Sequence, residues 1–442
     1  MNKFALFIAS VAAFATTACT SYEIDMPENP AAPVVGNEVS SNVIYQANPR
    51  FFGTQDCLKG LQGQLPRIAD MGTDILWIMP VYEPGELKSI GSPYCVRNFT
   101  ALNPRYGSMA DLKAVVNDAH AKGMKVIFDW VANHTAWDCA WITEHPNWYD
   151  QDAAGNILAP NGWPDVAQLN LEVPEAAAAM KAAMLYWVNE LKIDGYRCDF
   201  ADGVPHAFWK SVIDDIRAIN PDAIMLAEST DNDFYADGFN MIYDWNCAPT
   251  LSKVFNGGKP ADAIKEAKDA LAIVPDGKSI LRYVFNHDVA AENNVATMYG
   301  APEGVPAAYV LASMLNGTPM VYSSMDVEGL SGKLSFFDYR SMDFSTTLSD
   351  VYRNINGAFK ASADVRRGQL TDYSNNSVAC FTRAIPGGHY LLVMVNTTAD
   401  DVAFKTPITL TGATMTNLLN ETSEVVPVVM NLGAYEYAIL MN

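Results

Sequence analysis

The sequence predicts a (β/α)8 barrel followed by a small all-β domain. Two observations carry this. From about residue 42 to 361, eight short and mostly unbroken apolar runs alternate with amphipathic stretches, and from about residue 366 the pattern becomes purely β. Unbroken apolar runs mark strands covered on both faces, as in a parallel sheet wrapped by helices. Eight such units in alternation make a closed barrel the economical architecture, and a doubly wound sheet is the alternative.

Taken in order, residues 1–19 (MNKFALFIASVAAFATTAC) read as an export signal: Lys3, an apolar run of about a dozen residues, then small residues. The segment closes on Thr16-Thr17-Ala18-Cys19, which resembles a bacterial lipobox with Thr16 in place of the usual Leu. The reading is an exported protein, lipid-anchored through Cys19 to the cell envelope at the outer membrane. Ordinary secretion with cleavage nearby is the alternative. Residues 20–40 are polar, Pro-rich and acidic, the composition of a tether, and Glu23 and Asp25 in it resemble a surface-export tag.

The barrel is assigned to residues 41–361. Its strand candidates are 42–46, 74–80, 124–130, 194–200, 223–228, 239–244, 281–288 and 318–323. Helices are expected at 58–71, 109–122, 174–191, 205–219, 260–272, 303–316 and 349–361. The third of these opens well, on Pro174 and Glu175. Only about ten residues separate the fifth and sixth strands, too few for a helix. Residues 134–170, rich in Trp, Pro, Asn and Asp, are too long for an ordinary connection and read as a lid. Six β runs separated by turns such as PGG then form an antiparallel sandwich over 366–442.

Composition narrows the function classes. Half of the 442 residues are hydrophobic, so a sizeable core is available and disorder is excluded. The formal charge, 29 − 50 = −21, repels polyphosphate and argues against a nucleic-acid partner. Apart from Cys19, the cysteines are 57, 95, 139, 198, 247 and 380. No CxxC pair occurs among them, which argues against zinc or dithiol chemistry. A Cys57–Cys95 bridge and free buried thiols remain equal alternatives.

In a barrel the strand ends and the loops after them build the active face. Here those positions carry Asp129, Asn133 and His134 on the third unit, and Arg197 and Asp199 on the fourth. Glu228 ends the fifth, and Asn286, His287 and Asp288 end the seventh. Any one of these is commonly a cap or an ion pair, but four strands ending this way converge on one cleft. Paired carboxylates suit glycoside cleavage, one attacking the anomeric carbon while a protonated one serves the leaving oxygen. Arg197 shares a strand face with Asp199 and can keep it ionised. The apolar run before Glu228 would raise its pKa toward that of a general acid.

The motifs resemble those of the α-amylase family of glycoside hydrolases. DWVANH (129–134), GYRCD (195–199), Glu228 in LAEST and FNHD (285–288) match the family's four conserved blocks, in order and on the expected strands. The resemblance covers about residues 42–442. It implies Asp199 as nucleophile, Glu228 as acid/base and Asp288 as transition-state stabiliser. Tyr94, His134, Arg197 and His287 would position the sugar. The implied substrate is starch or a maltooligosaccharide, cut at α-1,4 bonds with retention; the acidic linker and the lack of a spanning apolar run favour a tethered monomer. Alternatives left open are a cyclodextrin or pullulan hydrolase, an α-1,6-glucosidase, a transglycosylase, and a non-catalytic glucan-binding lipoprotein. The resemblance implies no cofactor for the reaction, and a structural Ca2+ with Asn133 among its ligands. Two departures weigh against the calcium: Asp202-Gly203 replaces a Lys-His pair, and VAQLN (166–170) replaces a QPDLN-type block. On that reading Asn133 only braces the barrel.

Overall fold

The computed structural model describes residues 39–442; the export signal, Cys19 and most of the tether lie outside the described residues. Eight parallel strands close into a barrel: Ile44–Ala47 (β1), Ile75–Ile78 (β2), Lys125–Val131 (β3), Gly195–Asp199 (β4), Ile224–Ala227 (β5), Met241–Tyr243 (β6), Ser279–Tyr283 (β7) and Thr318–Tyr322 (β8). They run in sequence order around the ring, and β1 pairs with both β2 and β8.

Strand periodicity sorts each strand into two layers. Ile44, Ile75, Trp77, Ile127, Leu226, Tyr243 and Leu281 fill the barrel interior. Their neighbours Tyr45, Leu76, Phe128, Tyr196, Met225 and Ile242 face the surrounding helices. Both sides of each strand are therefore dry, which is why the strands read as unbroken apolar runs. Gly195 sits at φ 144°, and a Cβ there would lie 1.9 Å from the Ile224 carbonyl oxygen. Its bare backbone lets β4 and β5 come together.

The helices follow the expected alternation. Ser108 and Asp111 form a capping box on Met109–Ala121, satisfying amides that the first turn leaves unpaired. Pro174 opens Pro174–Leu191, where its missing N–H costs nothing. Only a short 3-10 turn, Asn232–Tyr235, joins β5 to β6. An additional helix, Cys247–Phe255, precedes Pro260–Leu271. No helix among the described residues is long and apolar enough to cross a membrane.

Two insertions rise over the strand ends. After β2 a hairpin pairs Tyr82–Pro84 with Val96–Leu102, and its connecting loop carries Tyr94. After β3 the lid begins as His134–Ala136, paired with Val166–Gln168. Trp141 stacks on Phe99 and meets Trp148 edge-on, so these aromatics tie the lid to the hairpin and to the main core. Cys57, Cys95, Cys139, Cys198, Cys247 and Cys380 are all free and buried, so Cys57 and Cys95 form no bridge.

The C-terminal domain is a six-stranded antiparallel sheet backed by a two-stranded one. Val378, Cys380, Leu392, Met394 and Leu440 face the small sheet and pack with Phe404 and Leu432. Alternate residues Ala379, Phe381, Leu391, Val393 and Ile439 join the barrel's core. The exposed large apolar residues of this domain are Ile408, Val425, Val428 and Val429, all aliphatic. Sugar rings stack on flat aromatic faces, so the domain's surface offers no stacking platform of that kind among the described residues.

Candidate active site

The site grows from one buried guanidinium. On β4 the side chains of Arg197 and Asp199 share the inward face. Arg197 is fully buried. Its Nη1 donates to Asp129 Oδ1 at 2.7 Å and to Asp199 Oδ1 at 2.9 Å, and its Nε donates to Tyr243 Oη at 3.1 Å. Nη2 stands 2.8 Å from Glu228 Oε1 but at an angle that makes no hydrogen bond. One cation on one strand thus organises carboxylates from three neighbouring strands.

Asp129, at the inner end of β3, is sealed from water. It also accepts from Trp77 Nε1 at 3.1 Å and Tyr94 Oη at 3.0 Å, so it locks Arg197 in place rather than facing the cleft. His287 continues the chain of bonds. Gln46 Nε2 lies 2.9 Å from His287 Nδ1, and His287 Nε2 lies 2.9 Å from Tyr94 Oη. An amide nitrogen can only donate, so Nδ1 accepts and Nε2 carries the proton. The phenol receives that proton's bond and donates its own to Asp129. His134 is held similarly, between Asn133 Nδ2 and the Tyr94 carbonyl. Burial pushes both imidazoles down to about 4, so both are neutral at pH 7.

The two carboxylates that face the cleft stand on adjacent rungs. Cys198 pairs with Ala227 across β4 and β5, so Asp199 and Glu228 follow side by side at about the inter-strand spacing of 4.8 Å. Phe200, at φ 38°, turns its amide to donate to Glu228 Oε2 at 2.6 Å. Burial raises both acids, Asp199 to about 7 and Glu228 to about 8, and Arg197 opposes the rise in each. The hydrogen bond from Arg197 goes to Asp199 alone. Asp199 is therefore the readier of the two to ionise, and Glu228 the readier to hold a proton. Asp288 stands 3.4 Å from His287 Nε2 and is the most open of the three, at 38% exposure.

These groups line a cleft of about 480 Å3. Asp199, Glu228, Asp288, Tyr94, His134 and His287 all reach it, while Arg197 lies beneath its floor. The sequence pattern did not single out Gln46, Trp77 or Tyr243, which support the network, nor the walls formed by Ile90, Phe200, Trp245, Phe336 and Phe337. A polar or aromatic residue on the inward face near the end of a barrel strand is the signal that would have found the first three. Of the lid aromatics Trp137, Trp141, Trp148, Tyr149 and Trp163, only Trp163 lines the cleft, packed edge-on against Phe200. Ser229 Oγ donates to Asp202 Oδ1 at 2.6 Å, which places a further carboxylate at the cleft wall.

A closed eight-stranded barrel with paired acids at its strand ends defines a class of carboxylate-bearing (β/α)8 proteins. Residues 44–155 match the family described as alpha amylase, catalytic domain. The α-amylase MalA of Haloarcula japonica is 26% identical over 376 residues, covering 80% of this chain and 55% of that protein. An amylopullulanase of Thermoanaerobacterium saccharolyticum is 24% identical over 440 residues, covering 82% of this chain and 33% of its own length. This chain thus spans about half, or less, of the first curated relatives it matches. The crystal structure of an α-amylase from Lactobacillus plantarum superposes with a TM-score of 0.80 at 26% identity, over 91% of this chain and 99% of that one. Over most of its length the chain is similar to proteins of the α-amylase family.

Proposed function

We propose that this protein is a retaining glycoside hydrolase that cleaves α-1,4-glucosidic bonds of starch or maltooligosaccharides. The observation that carries the reading is the pair of acids on adjacent rungs around Arg197, which donates to Asp199 and stands in an ion pair 2.8 Å from Glu228 Oε1. A retaining pair stands roughly 5–5.5 Å apart, a spacing that neighbouring rungs about 4.8 Å apart can present.

On this reading Asp199 attacks the anomeric carbon while Glu228 gives its proton to the departing glycosidic oxygen. The bond to the leaving sugar breaks and a glucosyl ester forms on Asp199. Glu228, now ionised, takes a proton from water, and the resulting hydroxyl displaces Asp199. Asp288 binds sugar hydroxyls as positive charge develops on the ring. Tyr94, His134 and His287 position the sugar, and Arg197 fixes the ionisation of the pair from below. The walls beyond the acids, Phe200, Trp163 and Asp202, receive the leaving portion. Relatives named amylopullulanase and cyclomaltodextrinase keep α-1,6 and cyclic substrates within the test.

The test is product analysis on amylose, pullulan and cyclodextrin beside an Asp199→Asn control. The expected result is maltooligosaccharides of retained anomeric configuration that the control does not release. Binding without turnover by the parent would overturn the hydrolase reading and leave a glucan-capture protein. The tether and Cys19 support a monomer anchored to the cell envelope. Labelling by a fatty-acid analogue that Cys19→Ala abolishes is the expected outcome there.

A further inference from the structure

The family resemblance implies a structural calcium ion with Asn133 among its ligands, and the residues around Asn133 do not fit one. A single nitrogen occupies the centre of this group. Gln168 Nε2 lies 3.0 Å from the Asn133 carbonyl oxygen, 3.1 Å from Asn133 Oδ1 and 3.0 Å from the Leu169 carbonyl oxygen. Three lone-pair-bearing oxygens converging on one end of an amide require its NH2 there, because an amide oxygen would meet only repulsion. The other end of the Asn133 side chain is held as well, by His134 Nδ1 at 3.2 Å.

A calcium ion asks for roughly six to eight oxygens at about 2.3–2.6 Å, several of them charged. The oxygens here number three, all neutral, and they share the two N–H groups of one amide. Asn133 is buried, and Gly203 closes over it: a Cβ at Gly203 would lie 2.4 Å from Asn133 Oδ1. No carboxylate takes part in these contacts. Among the described residues, no group of three or more His, Cys, Asp or Glu side chains is placed to hold a metal.

We propose that the Gln168 amide takes the place of the structural cation. Its partial positive charge gathers the oxygens a metal would otherwise gather, and does so from within the chain. Gln168 ends the short strand that pairs with His134–Ala136, so the same amide fastens the base of the lid to the end of β3 and steadies the Asn133–His134 corner. The lid of this protein then needs no metal to stay in place, whichever glucan the cleft accepts.

Thermal unfolding of the full chain, in EDTA and again in millimolar CaCl2, tests this with two variants. The parent is expected to melt at one temperature in both buffers. Gln168→Met, which keeps the length and loses the donors, is expected to melt roughly 2–4 °C lower in both. Gln168→Asp replaces the donor with a charged oxygen among three others. It is expected to melt lower in EDTA and to recover in calcium, which a merely space-filling role for Gln168 would not produce. A parent destabilised by EDTA overturns the proposal, as does a Gln168→Met chain that melts with the parent. A folded Gln168→Asp chain indifferent to calcium overturns the claim that the amide stands in a cation's place.

Discussion

Two buried arginines in this barrel invite comparison. Arg197 on β4 and Arg282 on β7 are both fully buried, and each is held by carboxylates from neighbouring elements. Arg282 lies on the outward face of its strand. It binds Asp244, Glu266 Oε2 at 3.0 Å and the Ala312 carbonyl oxygen, and its network is shut between barrel and helices. Arg197 lies on the inward face at the mouth, where Asp199 and Glu228 keep 13% and 14% exposure to the cleft. Burial raises Asp244 to about 7, much as it raises Asp199. A perturbed acid therefore does not by itself mark chemistry. What separates the two clusters is that one opens onto a space where a substrate can stand.

The sharpest way to break this contrast is to substitute within each cluster. Asp199→Asn leaves Arg197 paired with Asp129 and Glu228, so the fold should persist while kcat/KM falls by roughly 10,000-fold or more. Steady-state kinetics beside a melting curve would decide it, and a variant that unfolds instead would erase the distinction. Arg282→Met strands two acids in a dry space and should cost about 3–5 kcal/mol of stability. Urea titration measures that loss, and turnover per folded molecule should stay near the parent's.

The pH response extends the comparison. The rate should follow a bell, falling at low pH as Asp199 is protonated and at high pH as Glu228 loses its proton, with apparent values belonging to the coupled pair. Both folded-state values are raised above those of an unfolded chain. The stability held by the protonated acids is thus complete below the ordinary carboxylate range and lost as pH rises through about 7 to 8. Glu228→Gln, neutral at every pH, should flatten the decline in melting temperature between the ordinary carboxylate range and about pH 8; an unchanged decline would exclude Glu228 as its source.

Smaller effects should come from the supports. Gln46→Leu removes the donor that fixes the His287 tautomer, and a loss of about tenfold in kcat/KM corresponds to one buried hydrogen bond. Trp163→Ala, remote from the bond being cut, should raise KM a fewfold and leave kcat nearly unchanged, as uniform binding loss does. If Trp163→Ala instead lowers kcat, the contact with Phe200 reaches the acid pair.

How much of this was legible follows from where each signal lives. The eight strands could be read because each is dry on both sides, a condition written along one stretch of chain. The site could be read because Asp129, Arg197, Asp199 and Glu228 sit in local motifs at strand ends, and Asp288 in one that opens the short helix His287–Glu292 after the seventh strand. Gln46 could not, since its partner His287 is 241 residues away and they meet only once β1 and β8 close the ring. Helix Cys247–Phe255 was obscured by Pro249, which reads as a breaker yet is tolerated in a first turn. The hairpin over Tyr82–Leu102 was missed because its strands mix buried and exposed positions without clean alternation. Gln168 showed in the sequence only as a departure from a block; its meaning lies in three oxygens supplied by two other residues.

The six-stranded sheet at the C-terminus gives one face to its small partner and the other to the barrel. Its inner layer therefore belongs to two domains at once. A calorimetric scan should show a single cooperative transition in place of two, and a chain cut after Ala361 should lose the barrel along with the sheet. Exchanging this module for another by recombination would mean rebuilding a shared interior, so the two domains are units of topology and not of folding.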